Sequence, residues 1–110
     1  MFRELSYRRG EANALDSLGE AYRDLGQPAD AIVCFQQSLN AFRELGDQAS
    51  QAEILAHLAA ARQADGNTRA ARDCLRQALA IFTELKHPDA AQVQAKLMGL
   101  GANGYESRQD

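Results

Sequence analysis

Two histidines and two cysteines are the side chains of this sequence best suited to catalysis or metal binding. Glu53 and His57 lie four residues apart, so on a helix they would share one face and could share a metal ion. Two ligands are too few for a metal site, which favours a solvated or edge-of-core role for His57. His87 precedes Pro88 in a predicted loop, and the sequence gives neither histidine a nucleophile or an acid partner. We therefore expect no catalytic residue, no metal site and no cofactor.

The cysteines and the apolar residues indicate a cytoplasmic protein. Cys34 and Cys74 lie in two similar segments, where we interpret them as buried, unlinked packing residues. Reduced thiols favour the cytoplasm. No apolar run approaches the roughly 18 residues of a membrane span, and the first residues lack the apolar segment of a signal peptide. Arginine greatly outnumbers lysine and alanine is abundant, a bias typical of bacterial proteins.

The charge distribution argues against nucleic acid as a partner. The formal net charge is -3, whereas a nucleic-acid-binding surface is basic. Arg69, Arg72 and Arg76 share one helical face, but Asp65 and Asp73 lie one turn from Arg69 and can neutralise it. This stripe is interpreted as a solvent-facing surface.

An internal repeat organises the chain. The phrase FREL occurs at residues 2–5 and 42–45 and returns as FTEL at 82–85, a period of forty. Identical residues in the segments 11–45 and 51–85 are nearly all small or apolar: Ala12 and Ala52, Leu15 and Leu55, Leu18 and Leu58, Ala21 and Ala61, Gly26 and Gly66, Ala31 and Ala71, Cys34 and Cys74, Leu39 and Leu79, Phe42 and Phe82, Leu45 and Leu85. The two polar pairs are Gln37 with Gln77 and Glu44 with Glu84. Stacked repeats require identity at such positions, because each unit buries one face against its neighbours.

Apolar spacings of three and four predict an all-α chain of helical hairpins. The expected helices cover about 8–25, 28–45, 50–65, 68–85 and 88–100, with Gly66 ending the third and Thr68 capping the fourth. These helices form repeat 1 (about 11–45), repeat 2 (about 51–85) and a capping helix (about 88–100), and residues 101–110 are expected to be a flexible tail. We interpret residues 2–5 as the remnant of a preceding repeat's second helix, which would make the chain a fragment of a longer array.

The repeat resembles the tetratricopeptide repeat. The family pattern is matched in the first unit by Leu15, Leu18-Gly19, Tyr22, Ala31, Phe35 and Ser38. The second unit departs from it at Arg62 and Leu75, where the family has aromatic residues. A forty-residue period is similar to the variant found in Pins-type adaptors and in bacterial multidomain regulators. The resemblance implies an α-α superhelix of antiparallel hairpins, a non-enzymatic scaffold, and a signalling or transcription regulator as its context.

The resemblance also implies that the first helices line a concave groove that binds a partner polypeptide. The expected contact residues are Asn13, Asp16, Glu20, Arg23 and Asp24, extended by Glu53 and Gln63. Because most of the charged ones are acidic, a basic or neutral segment is the preferred ligand. Solvated carboxylates with no binding role are the alternative.

Self-association is a second functional hypothesis. A stack of two hairpins and a cap leaves its amino-terminal end without a covering helix, and Phe2 and Leu5 would be all that remains of that cover. Another copy of the chain could supply the missing surface and form a homodimer.

Overall fold

The computed structural model describes the backbone of residues 2–109 and the side chains of residues 4–100. The described backbone forms five α-helices and no strand: α1 (Phe2–Asp24), α2 (Pro28–Leu45), α3 (Gln48–Ala64), α4 (Thr68–Glu84) and α5 (Asp89–Gln109). Each helix packs against the next one along the chain, whereas α1 and α3 touch only slightly. Short turns between packed neighbours make the helices antiparallel, which confirms the predicted stack of hairpins. None of the described helices is long and apolar enough to cross a membrane.

All four turns end the preceding helix in the same way. One residue adopts a left-handed conformation, namely Gly26, Gly46, Gly66 or Lys86, with φ of 77°, 70°, 85° and 55°. The next residue then donates its N–H to a carbonyl five residues back, for example from Gln27 to Tyr22 at 2.9 Å. This is the Schellman arrangement, which satisfies carbonyls that the helix end leaves without a partner. The repeat is therefore a repeat of turn chemistry as well as of apolar spacing.

The first helix begins at Phe2, not near residue 8 as the sequence predicted. Residues 2–5 are continuous with α1 instead of forming the end of a separate helix. At a period of forty, Ser6 is equivalent to Gly46 and Lys86, which both end a helix in the left-handed conformation. Only glycine adopts that conformation without steric cost, and at Ser6 the helix continues instead of turning. Arg8 and Arg9 then hold this part of α1 to Glu44 and Asp47, with Nε–Oε2 and Nη1–Oδ2 distances of 3.0 and 2.7 Å.

Two other boundaries differ from expectation. The cap of α4 is Asn67, whose side-chain oxygen accepts the N–H of Ala70 at 3.1 Å. Thr68 is the first residue of the helix rather than its cap. The last helix continues to Gln109, beyond the predicted end near residue 100, since glycines in the sequence lower helix propensity without forcing a turn. The flexibility of residues 101–110 stays a prediction.

The core lies between the stacked helices and contains most of the predicted apolar repeat positions, but Leu18, Ala21 and Leu85 are exposed. Its buried apolar residues include Ala12, Ala31, Phe35, Leu39, Phe42, Ala52, Ile54, Leu55, Leu58, Ala59, Ala71, Leu75, Ala78, Phe82 and Val93. Cys34 and Cys74 are both buried and unlinked, as predicted. Ser38 is the one fully buried polar side chain among the described residues, and its hydroxyl donates to the Ala12 carbonyl at 2.8 Å. That bond satisfies the hydroxyl and ties α2 to α1.

Gly19 of α1 lies directly against the ring of Phe35 on α2. A Cβ atom at this position would lie only 2.6 Å from Cε1 of Phe35, whose ring is fully buried. The equivalent pair in the second hairpin is Ala59 and Leu75, both buried. In the first hairpin, glycine faces the large ring of phenylalanine. In the second hairpin, the methyl group of alanine faces the smaller side chain of leucine.

We expect Gly19→Ala to lower the free energy of unfolding by about 1–2 kcal/mol. The cost of overpacking is typically about 1–3 kcal/mol, which exceeds the roughly 1 kcal/mol that alanine gains over glycine within a helix. Gly19→Ala combined with Phe35→Leu reproduces the alanine and leucine found at these positions in the second hairpin. In the Phe35→Leu background, Gly19→Ala should therefore leave the free energy of unfolding unchanged or raise it. Urea denaturation of the four proteins measures this coupling, and equal stabilisation by Gly19→Ala in both backgrounds would contradict it.

Lys86→Gly should stabilise the protein by up to about 1 kcal/mol. Lys86 is the only non-glycine residue with positive φ among residues 2–109, and a left-handed conformation costs a side-chain-bearing residue roughly 1–2 kcal/mol. Part of this gain is offset by the greater backbone entropy that glycine loses on folding. Thermal unfolding would detect the change, with Lys96→Gly on α5 as a destabilising control.

Candidate partner-binding groove

The candidate groove consists of two cavities that are lined mainly by α3 and α5. One cavity of about 310 Å³ lies between α3 and α5 and is lined by Glu53, Ala56, His57, Phe82, Asp89, Gln92, Val93 and Lys96. A neighbouring cavity of about 320 Å³ is lined by Ala56, Ala59, Ala60, Gln63, Leu75, Lys96, Gly99 and Leu100. Ala56 and Lys96 line both cavities, so the two together form one channel along α3.

A cluster of three side chains joins α1 to α3 beside this channel. Asp16 and Glu20 lie one turn apart on α1 and face His57 of α3 from either side of its ring. The Nδ1–Oδ1 distance to Asp16 is 2.8 Å, and the Nε2–Oε1 distance to Glu20 is 3.5 Å. The ring also packs on Phe35, with centroids 5.7 Å apart. All three members of the cluster are half-buried.

The cluster favours the charged form of the histidine. The hydrogen bond to Asp16 raises the pKa of His57, burial opposes this shift, and the negative charges of Asp16 and Glu20 reinforce it. Arg23 lies close enough to lower the same pKa slightly by repulsion. The imidazole thus serves as the local countercharge to two carboxylates.

The structure brings together some of the predicted contact residues and separates others. Asp16, Glu20 and Arg23 surround His57, whereas Asn13 and Asp24 are exposed elsewhere on α1. Glu53 and Gln63 are exposed and line the two cavities of the channel. The predicted set therefore extends from α1 across the surface of α3. Whether these residues contact a partner stays a prediction.

Sequence reasoning missed His57 as a member of the site. It paired His57 with Glu53 on the same helix, but the observed partners are on α1, about forty residues away along the chain. Comparison of the repeats gave no signal, because the residue equivalent to His57 in the first hairpin is Ser17. The period is a partial signal: if equivalent faces of consecutive first helices lie side by side, Asp16 is expected near residues 56–60, but the period does not say which of those side chains it meets.

The remaining reactive side chains have structural roles. His87 accepts the N–H of Asp89 at 3.1 Å, and its ring packs on Phe82 with a centroid distance of 4.7 Å, which shapes the turn into α5. Burial raises the pKa of both Cys34 and Cys74, and this keeps the thiols in their less nucleophilic form.

The fold defines a helical repeat scaffold. The family model for the tetratricopeptide repeat matches residues 8–84, and the chain belongs to this family. Its structure is similar to the crystal structure of the tetratricopeptide repeat domain of Arabidopsis FLU, with a TM-score of 0.73 at 19% identity, covering 93% of this chain and 97% of that one. A comparison with curated protein sequences finds no match. Domains of this family are typically non-enzymatic and generally bind polypeptides.

The stability of the protein should depend on pH through His57. Because the folded-state pKa is raised above the unfolded value, the stabilisation is complete below the unfolded pKa and is lost as pH rises through the folded pKa. We expect the wild type to lose about 1 kcal/mol or less, the scale of a partly exposed ion pair, between mildly acidic and mildly alkaline pH. The free energy of unfolding, measured across this pH range with a chelator present to remove metal ions, would show this loss. His57→Ala should remove the pH dependence. The same pH dependence in His57→Ala would contradict the assignment.

Proposed function

We propose that this protein binds a partner polypeptide along the channel between α3 and α5 and the adjoining surface of α1. The observation that carries the proposal is that one cavity of the channel is mainly apolar, whereas polar side chains that the core does not need lie in the other cavity and on α1. Specific polypeptide sites combine these two features, since apolar burial supplies affinity and the polar groups select the sequence. We propose the contact residues Asn13, Asp16, Glu20, Arg23, Asp24, Glu53 and Gln63.

The charges along the groove favour a basic or neutral segment. Asp16, Glu20 and Asp24 are on α1, and Glu53 of α3 lines the cavity between α3 and α5. Ala56, Ala59 and Ala60 leave space between α3 and α5 because their side chains are small. We infer a ligand that places an apolar side chain in this space and a lysine or arginine beside the carboxylates. Our proposal includes a cytoplasmic setting and a role in a bacterial regulatory or signalling protein.

Self-association is the second candidate, and a specific surface favours it. Ala14, Leu18 and Ala21 of α1 are equivalent to Ile54, Leu58 and Ala61 of α3. The three on α3 are buried beside α2, whereas the three on α1 are exposed. Leu18 has an exposed fraction of 46%, against 3% for Leu58. Together with Tyr7 and Leu25, which are 75% and 70% exposed, these residues form what we call the α1 stripe.

Charge reversal at exposed positions tests the groove. Asp24→Lys combined with Glu53→Lys should weaken binding of a basic peptide, enriched from a displayed library of short peptides, by more than about fivefold, the equivalent of roughly 1 kcal/mol for an exposed ion pair. The effect should shrink as salt rises. Reversal at Asp16 and Glu20 is a poorer test, because it would also remove the partners of His57. Isothermal titration provides the affinities.

A matched charge reversal outside the groove is Glu84→Lys, at the exposed end of α4, and it should leave affinity unchanged. Equal weakening by this control would show a long-range charge effect rather than a groove contact. Leu18→Glu with Leu25→Glu tests the α1 stripe through sedimentation at several concentrations. If those changes abolish peptide binding and dimerisation while the groove variant binds normally, the second candidate replaces the first.

A further inference from the structure

The groups around His57 are of the kinds that bind a transition metal ion. Asp16, Glu20 and His57 can each offer one ligand atom, and the three atoms all lie within 4.8 Å of one another. The ligands come from two helices, and the histidine ring is held by its packing on Phe35. A binding site built from packed helices is better defined than one on a loop, because its side chains have less freedom to move apart.

The distances approach those of a tetrahedral centre. Bonds of about 2.0–2.2 Å to nitrogen and oxygen place two ligand atoms of a tetrahedral ion roughly 3.4 Å apart. The observed separation of Nε2 of His57 from Oε1 of Glu20 is 3.5 Å. Asp16 lies against Nδ1 at 2.8 Å, where a carboxylate fixes the tautomer of a metal-binding histidine. One ligand atom of Asp16 also lies within 4.8 Å of those of Glu20 and His57. An ion bound by all three residues would therefore replace the hydrogen bond between Asp16 and Nδ1 with a direct bond to the Asp16 carboxylate.

We propose that Asp16, Glu20 and His57 form a binding site for a divalent transition metal ion of the zinc class. Two carboxylates and a neutral imidazole balance a charge of two, and imidazole is a ligand that zinc accepts readily. Magnesium and calcium are disfavoured, since both prefer an all-oxygen shell with more ligands. With at most three protein ligands, one coordination position remains for water or for a donor atom from another molecule.

Such a site would act as a clamp between consecutive hairpins. Direct contact between α1 and α3 is otherwise slight, so an ion bound by both helices would limit their relative movement. The bound ion would fix the position of His57, which lines the channel, and would partly neutralise the carboxylates of Asp16 and Glu20. The inference does not rest on peptide binding, and its test needs no partner.

The test is titration of the chelator-stripped full chain with zinc chloride, followed by calorimetry and thermal unfolding. We expect one ion per chain, a higher unfolding temperature with zinc, and no such rise with magnesium at the same concentration. Cobalt should give the intense visible absorption of a tetrahedral site. Glu20→Gln and His57→Ala should each weaken zinc affinity by at least about tenfold, the minimum cost seen even for outer-shell partners.

His87→Ala is the matched control, because His87 is also half-buried beside an aspartate but, among the side chains of residues 4–100, belongs to no cluster of three possible ligands. It should leave zinc affinity unchanged. No stabilisation of the wild type by zinc, or zinc affinity retained in both Glu20→Gln and His57→Ala, would overturn the proposal. If His57→Ala fails to fold by circular dichroism, the isosteric Glu20→Gln decides, since its shape leaves the packing of α1 unaltered.

Discussion

The close approach of the two helices within each hairpin is the contact on which the rest of the structure depends. In the first hairpin this approach requires Gly19, because Phe35 occupies the space where any side chain would lie. In the second hairpin Ala59 and Leu75 fill the same space with a different division of volume. Protein interiors are packed at nearly crystalline density, so a methyl group gained on one helix must be lost on the other. The family pattern of a small residue facing a large one therefore constrains the combined volume of the two side chains more than the identity of either.

One aromatic ring connects this core contact to the groove. Phe35 lies against Gly19 on one side and packs against the ring of His57 on another. The position of His57 is consequently set by core packing before any charge acts on it. Asp16 and Glu20 then meet the imidazole because α1 and α3 are held at a fixed separation by the helix between them, α2. A polar cluster supported in this way is preorganised, which lowers the entropy lost when a ligand binds.

The same place in the period is a turn twice and a continuous helix once. Gly46 and Lys86 both end a helix in the left-handed conformation, although only glycine does so without steric cost. Ser6 occupies the equivalent place and the helix continues. Because Lys86 ends a helix without being glycine, the residue type at this place sets the steric cost of the turn and does not alone decide whether a turn forms.

The sequence by itself determined the period, the hairpins, the small and apolar core positions and the burial of Cys34 and Cys74. These features depend on contacts within a hairpin or between identical units, so spacing and composition carry them. Only the tertiary structure decided that His57 meets Asp16 and Glu20, and that α1 begins at Phe2. The cluster depends on how two first helices are rotated and separated across a third, and no local pattern encodes that geometry. The charged residues of this cluster also occur in only one copy of the repeat each. A comparison of the two repeats, which detects residues they share, could therefore not reveal the cluster.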